Sequence, residues 1–229
     1  MRTFQRKFFA FLHPKKLCFL FFGLLLIVLC ACNKPVQYFD YVSELRSNIF
    51  LAETDGFSLR IYAVAKENPY LSDGAPRETS TRCEVYFLAP SYEKECILTF
   101  TVNGEKFGGE MSFDNVKSEY YYACTLDVSE QKQIDCNITY GEQELSLCAQ
   151  SVLTQDTLSP EKALNGLCEA EKDFFTGMTD EYGFAGEIYV RLLYEDAPYY
   201  YVGVIGRDGK TTAFLLNGKT GKILAKRES

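Results

Sequence analysis

The sequence predicts a mainly β fold with an α+β part at its C terminus, and three observations support this prediction. About seven short runs between residues 57 and 152 alternate apolar and polar side chains, which is the period of a half-buried strand. Turn residues separate these runs at intervals of roughly 8–14 residues. From residue 154 onward the pattern changes to one helix followed by about four further strands.

The chain begins with a segment that is typical of a secretion signal. Five basic residues and no acidic residue accompany an apolar run from Leu17 to Ala31. This run is shorter than the roughly 20 residues of a membrane-spanning helix. It ends in Leu29-Cys30-Ala31-Cys32, which resembles the lipobox of bacterial lipoproteins. An uncleaved signal anchor, or ordinary cleavage with release, are the alternatives for the same segment.

The resemblance to lipoproteins implies where the protein is found. It implies that residues 1–31 are removed as a signal peptide and that Cys32 receives a diacylglycerol. The remaining chain is then lipid-anchored at the extracytoplasmic face of the cell membrane. The whole layout is similar to that of lipoproteins of Gram-positive bacteria.

Charge and composition narrow the classes of function. Five of the 24 Lys and Arg residues precede Cys32, whereas none of the 31 Asp and Glu residues does, so the remaining portion has a formal charge of −12. Such an acidic protein is a poor nucleic-acid binder, because that function needs a basic face. The only histidine, His13, lies in the signal segment. Catalysis by Ser-His-Asp or Cys-His and zinc binding through imidazole are therefore excluded, and we predict no catalytic residue, metal or cofactor.

Residues 32–153 are predicted to form a tether and a strand-rich domain. Within residues 32–48, Tyr38, Tyr41, Val42 and Leu45 recur at helical spacing and predict a short helix after the lipid anchor. Residues 49–153 predict an immunoglobulin-like β-sandwich, because alternation in both halves of each hairpin requires a second sheet to cover the apolar face. Asn103-Gly104 between two alternating runs predicts a tight hairpin, since both residues tolerate positive φ.

Six cysteines follow the lipidation site, and their pairing stays open. In an exported protein they allow 15 disulfide connectivities. Four alternate with apolar neighbours and are predicted to be small core residues: Cys83, Cys96, Cys124 and Cys136. Cys148 shares its side of a strand with polar residues, and Cys168 falls in the C-terminal helix. Free core thiols and at least one disulfide are both compatible with this pattern.

Residues 154–229 are predicted to form a small α+β domain. Ser159-Pro160-Glu161 is a helix start, with Ser as the cap, Pro in the first turn and Glu near the positive end of the helix dipole. A tight turn is predicted at Asn217-Gly218-Lys219-Thr220-Gly221, where Asn217 and Gly218 accept left-handed backbone geometry.

This C-terminal pattern resembles a PepSY domain over residues 157–229. The turn residues Asn217, Gly218, Thr220 and Gly221 carry the resemblance, together with the hairpin around Asp208-Gly209. Asn217 and Gly218 depart from the Asp and Ala of the family. The resemblance implies a non-catalytic extracytoplasmic module that restrains peptidases or mediates contacts at the envelope.

Two tyrosine triplets, Tyr120–Tyr122 and Tyr199–Tyr201, provide candidate ligand contacts. In a strand the middle tyrosine faces away from its two neighbours, so Tyr121 and Tyr200 are the candidates if the neighbours pack inward. The reverse orientation, and a role in packing alone, are the alternatives.

The sequence thus predicts a lipid-anchored, non-catalytic binding protein that docks an envelope protein or peptide, for example by strand addition at a sheet edge. The alternative is a lipoprotein that captures a carbohydrate or another solute with exposed tyrosines. A hydrolase that uses carboxylates alone is a third hypothesis, although no spacing identifies a catalytic pair.

Overall fold

The computed structural model of the chain describes residues 36–68, 76–91 and 95–229, and these residues are mainly β, as predicted. The strands are β1 (Val42–Thr54), β2 (Phe57–Glu67), β3 (Thr79–Leu88), β4 (Cys96–Val102), β5 (Glu105–Glu110), β6 (Ser112–Asp114), β7 (Glu119–Cys124), β8 (Gln133–Tyr140), β9 (Gln143–Ser151), β10 (Thr179–Asp180), β11 (Gly183–Phe184), β12 (Gly186–Tyr194), β13 (Pro198–Gly206), β14 (Thr211–Asn217) and β15 (Ile223–Glu228). The helices are a 3₁₀ turn at Tyr38–Tyr41, α1 (Pro160–Ala170) and α2 (Lys172–Gly177). No helix in these three ranges is long and apolar enough to cross a membrane. The predicted signal peptide and the lipidation residue Cys32 lie outside the described residues.

The short helix expected within residues 32–48 is wrong except for one 3₁₀ turn. From Val42 the chain is extended, and it has a strand partner on each side. Residues 42–46 pair in parallel with β12 and residues 44–54 pair antiparallel with β2. Pairing with residues far along the chain outweighs the local helical spacing, because strand formation depends chiefly on cross-strand neighbours.

The long strand β1 joins two groups of strands into one sheet. Within the described ranges thirteen strands belong to this sheet, whose main path runs β15-β14-β13-β12-β1-β2-β3-β7-β6. On its second edge, β1 pairs first with β12 and then, at Phe50 and Leu51, with β9. From β9 the pairing continues through β8 and β4 to β5. The domain boundary at residue 153 stays a prediction, but both portions of the chain share β1.

A hydrophobic core, called the main core below, lies between the inner side of β2 and β3 and the strands β4 and β8. Leu59, Ile61 and Val85 contribute from the first group, and Leu98 and Ile138 contribute from the second. All five side chains are fully buried. Burial of such side chains contributes roughly 1.5–3 kcal/mol each and sets which side of β2 and β3 faces solvent.

The helix α1 begins as the sequence predicts and covers one side of the C-terminal strands. Ser159 caps it by accepting a hydrogen bond from the Lys162 backbone N–H at 3.3 Å, and Pro160 fills the first position. Its apolar side buries Leu164 and Leu167, and the helix contacts β12 and β13. The opposite side of β12 and β13 therefore remains available for other contacts.

The hairpin predicted at Asn103-Gly104 joins β4 and β5. Both residues have positive φ, 53° and 84°, and Val102 pairs directly with Glu105. This turn is therefore confirmed.

Candidate functional site

The structure separates the two tyrosines that the sequence singled out. Tyr121 is half-buried on β7, on the side away from the main core. Tyr200 is fully buried, and its hydroxyl donates a hydrogen bond to the Leu158 carbonyl at 2.6 Å. The expectation that Tyr200 contacts a ligand is therefore wrong. Because α1 covers this side of β13, the middle residue of the triplet points inward, and Tyr199 and Tyr201 are the half-exposed members.

Around Tyr121, the outer side of the sheet carries an extended set of tyrosines and charged residues. We call this set the tyrosine face. Its members are Tyr62, Tyr86, Tyr121, Tyr189, Tyr201, Arg46, Arg60, Lys66, Arg82, Lys117, Arg191, Glu44, Glu84 and Glu119. They lie on β13, β12, β1, β2, β3 and β7, with Lys117 in the turn before β7.

Strand register places these residues on one side of the sheet. Residues directly opposite each other on paired strands point to the same side. Between β13 and β12, Tyr201 lies opposite Arg191, and between β12 and β1, Tyr189 lies opposite Glu44. Between β1 and β2, Glu44 lies opposite Lys66, and between β3 and β7, Tyr86 lies opposite Tyr121. The tyrosine face thus continues across six neighbouring strands.

Three of the tyrosines form a ladder across β2, β3 and β7. The ring centroids of Tyr62 and Tyr86 are 5.2 Å apart, and those of Tyr86 and Tyr121 are 5.1 Å apart. The Arg46 guanidinium lies 4.1 Å from the centre of the Tyr62 ring, and the Lys117 amine lies 5.2 Å from that of Tyr86. Tilted rings at this distance and cations above them attract one another, so the ladder is held in a defined arrangement.

Ion pairs join the ladder to the C-terminal strands. Arg191 donates from Nε and Nη2 to the two carboxylate oxygens of Glu44, at 2.7 and 3.0 Å. Lys66 Nζ lies 3.2 Å from Glu84 and 4.0 Å from Glu44. Arg60 also pairs with Glu119. A bidentate arginine–carboxylate pair fixes both position and orientation, so strands from distant parts of the chain present one ordered surface.

The pKa values of two groups follow from this arrangement. Burial acts to raise the pKa of Glu44, but the hydrogen bond and positive charge of Arg191, with Lys66 and Arg46, outweigh it and lower that pKa. Burial, followed by the charge and hydrogen bond of Glu84, raises the pKa of Tyr86. Glu44 is therefore ionised and Tyr86 is a neutral hydrogen-bonding group near pH 7.

The tyrosine face carries positive charge in an acidic protein. It has six cations and three carboxylates, which gives a formal charge of +3, whereas the whole chain has −7. The cationic side chains remain partly accessible, with exposed fractions of 42% for Arg60, 36% for Lys66 and 33% for Arg191. The Nε atom of Arg46 is buried without a hydrogen-bond partner among the described residues. The surface is thus suited to an anionic ligand.

A shallow pocket opens at one end of the tyrosine face. It has a volume of about 180 Å³ and is lined by Tyr86, Tyr121, Lys117, Asp114 and neighbouring atoms of Ser112 and Phe113. The pocket combines two aromatic rings with one cation and one carboxylate.

The PepSY-like turn residues have a structural role away from this face. Asn217 Oδ1 accepts hydrogen bonds from the backbone N–H groups of Lys219 and Thr220, at 3.0 and 2.9 Å. Gly221 has a φ of +69°, but Asn217 and Gly218 do not have positive φ, so the left-handed geometry expected at these two residues is wrong. Gly218 is needed because a Cβ there would lie 2.5 Å from the Pro198 carbonyl oxygen.

The sequence alone does not predict most of the tyrosine face. Tyr62 and Tyr86 stand singly in alternating strands, where they alternate with core residues such as Ile61 and Val85. The available signal was their phase, since each shares its side of the strand with charged neighbours such as Arg60 or Glu84. The triplets single out Tyr121 and Tyr200 only by repetition. Repetition does not indicate which side of a strand another element covers.

Comparisons with known proteins found no match for this chain among protein-family models, curated proteins or solved structures. Among residues 36–68, 76–91 and 95–229, no group of three or more His, Cys, Asp or Glu side chains is placed to hold a metal ion.

Proposed function

We propose that the chain is a lipid-anchored, non-catalytic binding protein at the extracytoplasmic face of the cell membrane, and that the tyrosine face is its docking surface for an envelope protein or peptide. The single observation that carries the proposal is the extent of this face, which crosses six strands of one sheet. Tyrosine and arginine are the residue types that contribute most to binding energy at protein interfaces. A surface ordered before binding also loses little conformational entropy on complex formation.

The charge of the face favours an acidic partner segment. With six cations and three carboxylates, the face attracts Asp- and Glu-rich sequence despite the net negative charge of the chain. Docking on the face is favoured over strand addition at the β15 edge of the sheet. The edge strand β15 carries Lys226, Arg227 and Glu228, and charged edges disfavour pairing with another strand.

The assignments of fold family and anchorage belong to the same proposal. Antiparallel strands on both sides of one core support an immunoglobulin-like sandwich for residues 49–153. The order of α1 followed by β12 to β15, and the turn at Asn217–Gly221, support a PepSY-like domain for residues 154–229. The lipobox resemblance supports lipidation of Cys32. A PepSY-like module would act by contact, either restraining a peptidase or docking another envelope protein.

Site-specific photo-crosslinking in native membranes tests the docking surface. A photoreactive phenylalanine analogue replaces Tyr121 on the face, and the same analogue replaces Tyr182 as the control. Tyr182 is 84% exposed and is not part of the face. We expect a discrete protein adduct from position 121 and not from position 182. Equal adducts from both positions, or none from position 121, would contradict the proposal.

Binding of an acidic partner to the tyrosine face can be tested with a defined probe. Full-length protein in detergent is titrated with a fluorescent poly-glutamate peptide, and a poly-glutamine peptide of the same length is the control. We expect tighter binding of poly-glutamate, weakening as salt is raised from 0.05 to 0.3 M because salt screens exposed charges on the scale of about 10 Å. Equal binding of both peptides would contradict an acidic partner.

The pocket beside Tyr86 and Tyr121 favours a carbohydrate as a second candidate ligand. Aromatic rings with neighbouring polar groups, here Lys117 and Asp114, provide stacking and hydrogen bonds for a sugar ring. Glycan-array binding that is lost in Tyr86→Ala and Tyr121→Ala, but kept in Tyr182→Ala, would favour this candidate over protein docking. Absence of glycan binding by the wild-type protein would eliminate it.

A further inference from the structure

Cys83 and Cys124 lie directly opposite each other on the antiparallel strands β3 and β7. The following pairs, Glu84 opposite Ala123 and Val85 opposite Tyr122, show that the two cysteines belong to one continuous register. Directly opposed residues have Cβ atoms about 4.5–5.5 Å apart, and a disulfide needs about 3.5–4.5 Å. A decrease of about 1 Å in a typical Cβ–Cβ separation therefore brings such a pair into the range of a disulfide.

The two thiols interact but differ in accessibility. Cys83 is fully buried, whereas Cys124 is partly exposed near the end of β7. Interaction with the Cys83 thiol, with smaller contributions from Tyr122 and the charge of Arg82, lowers the pKa of Cys124, while interaction with Cys124 and burial raise the pKa of Cys83. Cys124 thus supplies a reachable thiolate, and Cys83 is the buried partner.

The other cysteines of the strand-rich and helical parts have different surroundings. Burial raises the pKa of Cys96, Cys136 and Cys168 to about 12, so these thiols are unreactive. Cys148 is exposed and lies opposite Asp135 rather than another cysteine. Among the six, Cys83 and Cys124 are the two that face each other across neighbouring strands.

We propose that Cys83 and Cys124 are a redox-active cross-strand pair that closes to a disulfide when the exported protein meets a disulfide oxidant, R–S–S–R. The Cys124 thiolate attacks one sulfur of the oxidant and expels the first R–S⁻. Cys83 then gives up its proton, and its sulfur attacks the Cys124 sulfur of the mixed disulfide and expels the second R–S⁻. Two electrons pass to the oxidant, which leaves as two R–SH after taking up the two protons.

This modification would stiffen the part of the sheet that holds the tyrosine ladder. Tyr86 lies three residues after Cys83 on β3, and Tyr121 lies three residues before Cys124 on β7. A bond between the two strands near these rings restricts their separation. The proposal itself does not depend on the docking function, because it concerns only the chemistry of the pair.

Peptide mapping of the full-length protein tests the pairing directly. The purified protein is incubated with oxidised or with reduced glutathione, free thiols are blocked, and the protein is digested with trypsin. Cleavage after Arg82, Lys94, Lys117 and Lys132 gives peptides 83–94 and 118–132, each with one cysteine. In the oxidised sample we expect these two peptides to be joined. The mass of the joined pair should be two hydrogen atoms below the sum of the two reduced peptides.

Two variants sharpen the test. Cys148→Ser should form the same link as the wild type, and Cys124→Ser should lose it. The oxidised wild type should also melt several degrees above the reduced form, because the bond closes a loop of about 40 residues. The proposal is overturned if peptides 83–94 and 118–132 remain separately blocked, if Cys83 joins the Cys136 peptide instead, or if oxidation lowers the melting temperature.

Discussion

Asn48 is buried in β1, where the register with β2 shifts between Arg46 and Asn48, and its replacement tests how β1 is held to the elements around it. Its Nδ2 donates to the Ser129 carbonyl at 2.9 Å and lies 3.4 Å from that of Gln131. Its Oδ1 accepts from the Ile49 backbone N–H and from the Ser151 hydroxyl, each at 2.8 Å. One side chain thus ties the connection between β7 and β8 and the end of β9 to β1.

Asn48→Leu keeps the size of the side chain and removes all of these bonds. The buried Ile49 N–H and the partly buried Ser129 carbonyl lose this partner, and each such loss costs about 1–3 kcal/mol. We therefore expect the free energy of unfolding to fall by about 2–6 kcal/mol, a large share of the 5–15 kcal/mol that holds a typical domain together.

Urea denaturation followed by circular dichroism measures this change. We expect a lower midpoint with an unchanged slope, because the substitution alters stability and not the surface that unfolding exposes. Asn137→Leu is the control, since Asn137 is an exposed residue of β8 and should change stability by about 0.5 kcal/mol or less. A fall of under about 1 kcal/mol for Asn48→Leu would show that these hydrogen bonds do not hold β1 in place.

Three further predictions concern the tyrosine face and the C-terminal turn. In the folded protein the pKa of Glu44 lies below its ordinary value of 4.5. The ion pairing of Glu44 therefore stabilises the fold above pH 4.5, and this stabilisation is lost as the pH falls through the lower pKa of the folded state. Melting temperatures measured from neutral to acidic pH should therefore decline less in Glu44→Gln than in the wild type, and identical profiles would contradict this. Arg46→Met removes a buried donor without a partner, which stabilises the fold by about 1 kcal/mol. It also removes a cation–π contact, which destabilises the fold by about the same amount. Its urea midpoint should stay near the wild-type value while its affinity for poly-glutamate falls several-fold, and unchanged affinity would remove Arg46 from the docking surface. Gly218→Ala should destabilise by about 1–3 kcal/mol because its Cβ meets the Pro198 carbonyl, whereas Gly166→Ala, with open space in α1, should stabilise by about 0.5–1 kcal/mol in the same denaturation assay.

Local signals predicted the elements that local chemistry determines. The cap at Ser159 and the hairpin at Asn103-Gly104 depend on a few adjacent residues, and both are present in the structure. The strand at Val42–Thr54 could not be predicted in this way. Its first partner, residues 188–191, lies more than 140 positions along the chain, and nothing within residues 38–45 reveals it.

The candidate site shows the same limit more strongly. Alternation in a strand gives two sides but does not say which side another element will cover. For Tyr200, α1 determines which side of the strand is covered. For Tyr121, the covered side of β7 is the one that faces the main core, so Tyr121 lies on the other side. The tyrosine face forms only when segments near residues 44, 62, 86, 121 and 191 become neighbours, so no window of sequence contains it.

The shared strand β1 makes the two portions of the molecule dependent on each other. A fragment that stops at residue 153 would keep β2 beside β1 but would lack β12, leaving residues 42–46 with one bare row of backbone N–H and C=O groups. A fragment that starts at residue 154 would leave the backbone N–H and C=O groups of β12 that face β1 unpaired. Unpaired strand edges pair with other chains, so each half expressed alone should self-associate. The whole chain should melt in a single calorimetric transition.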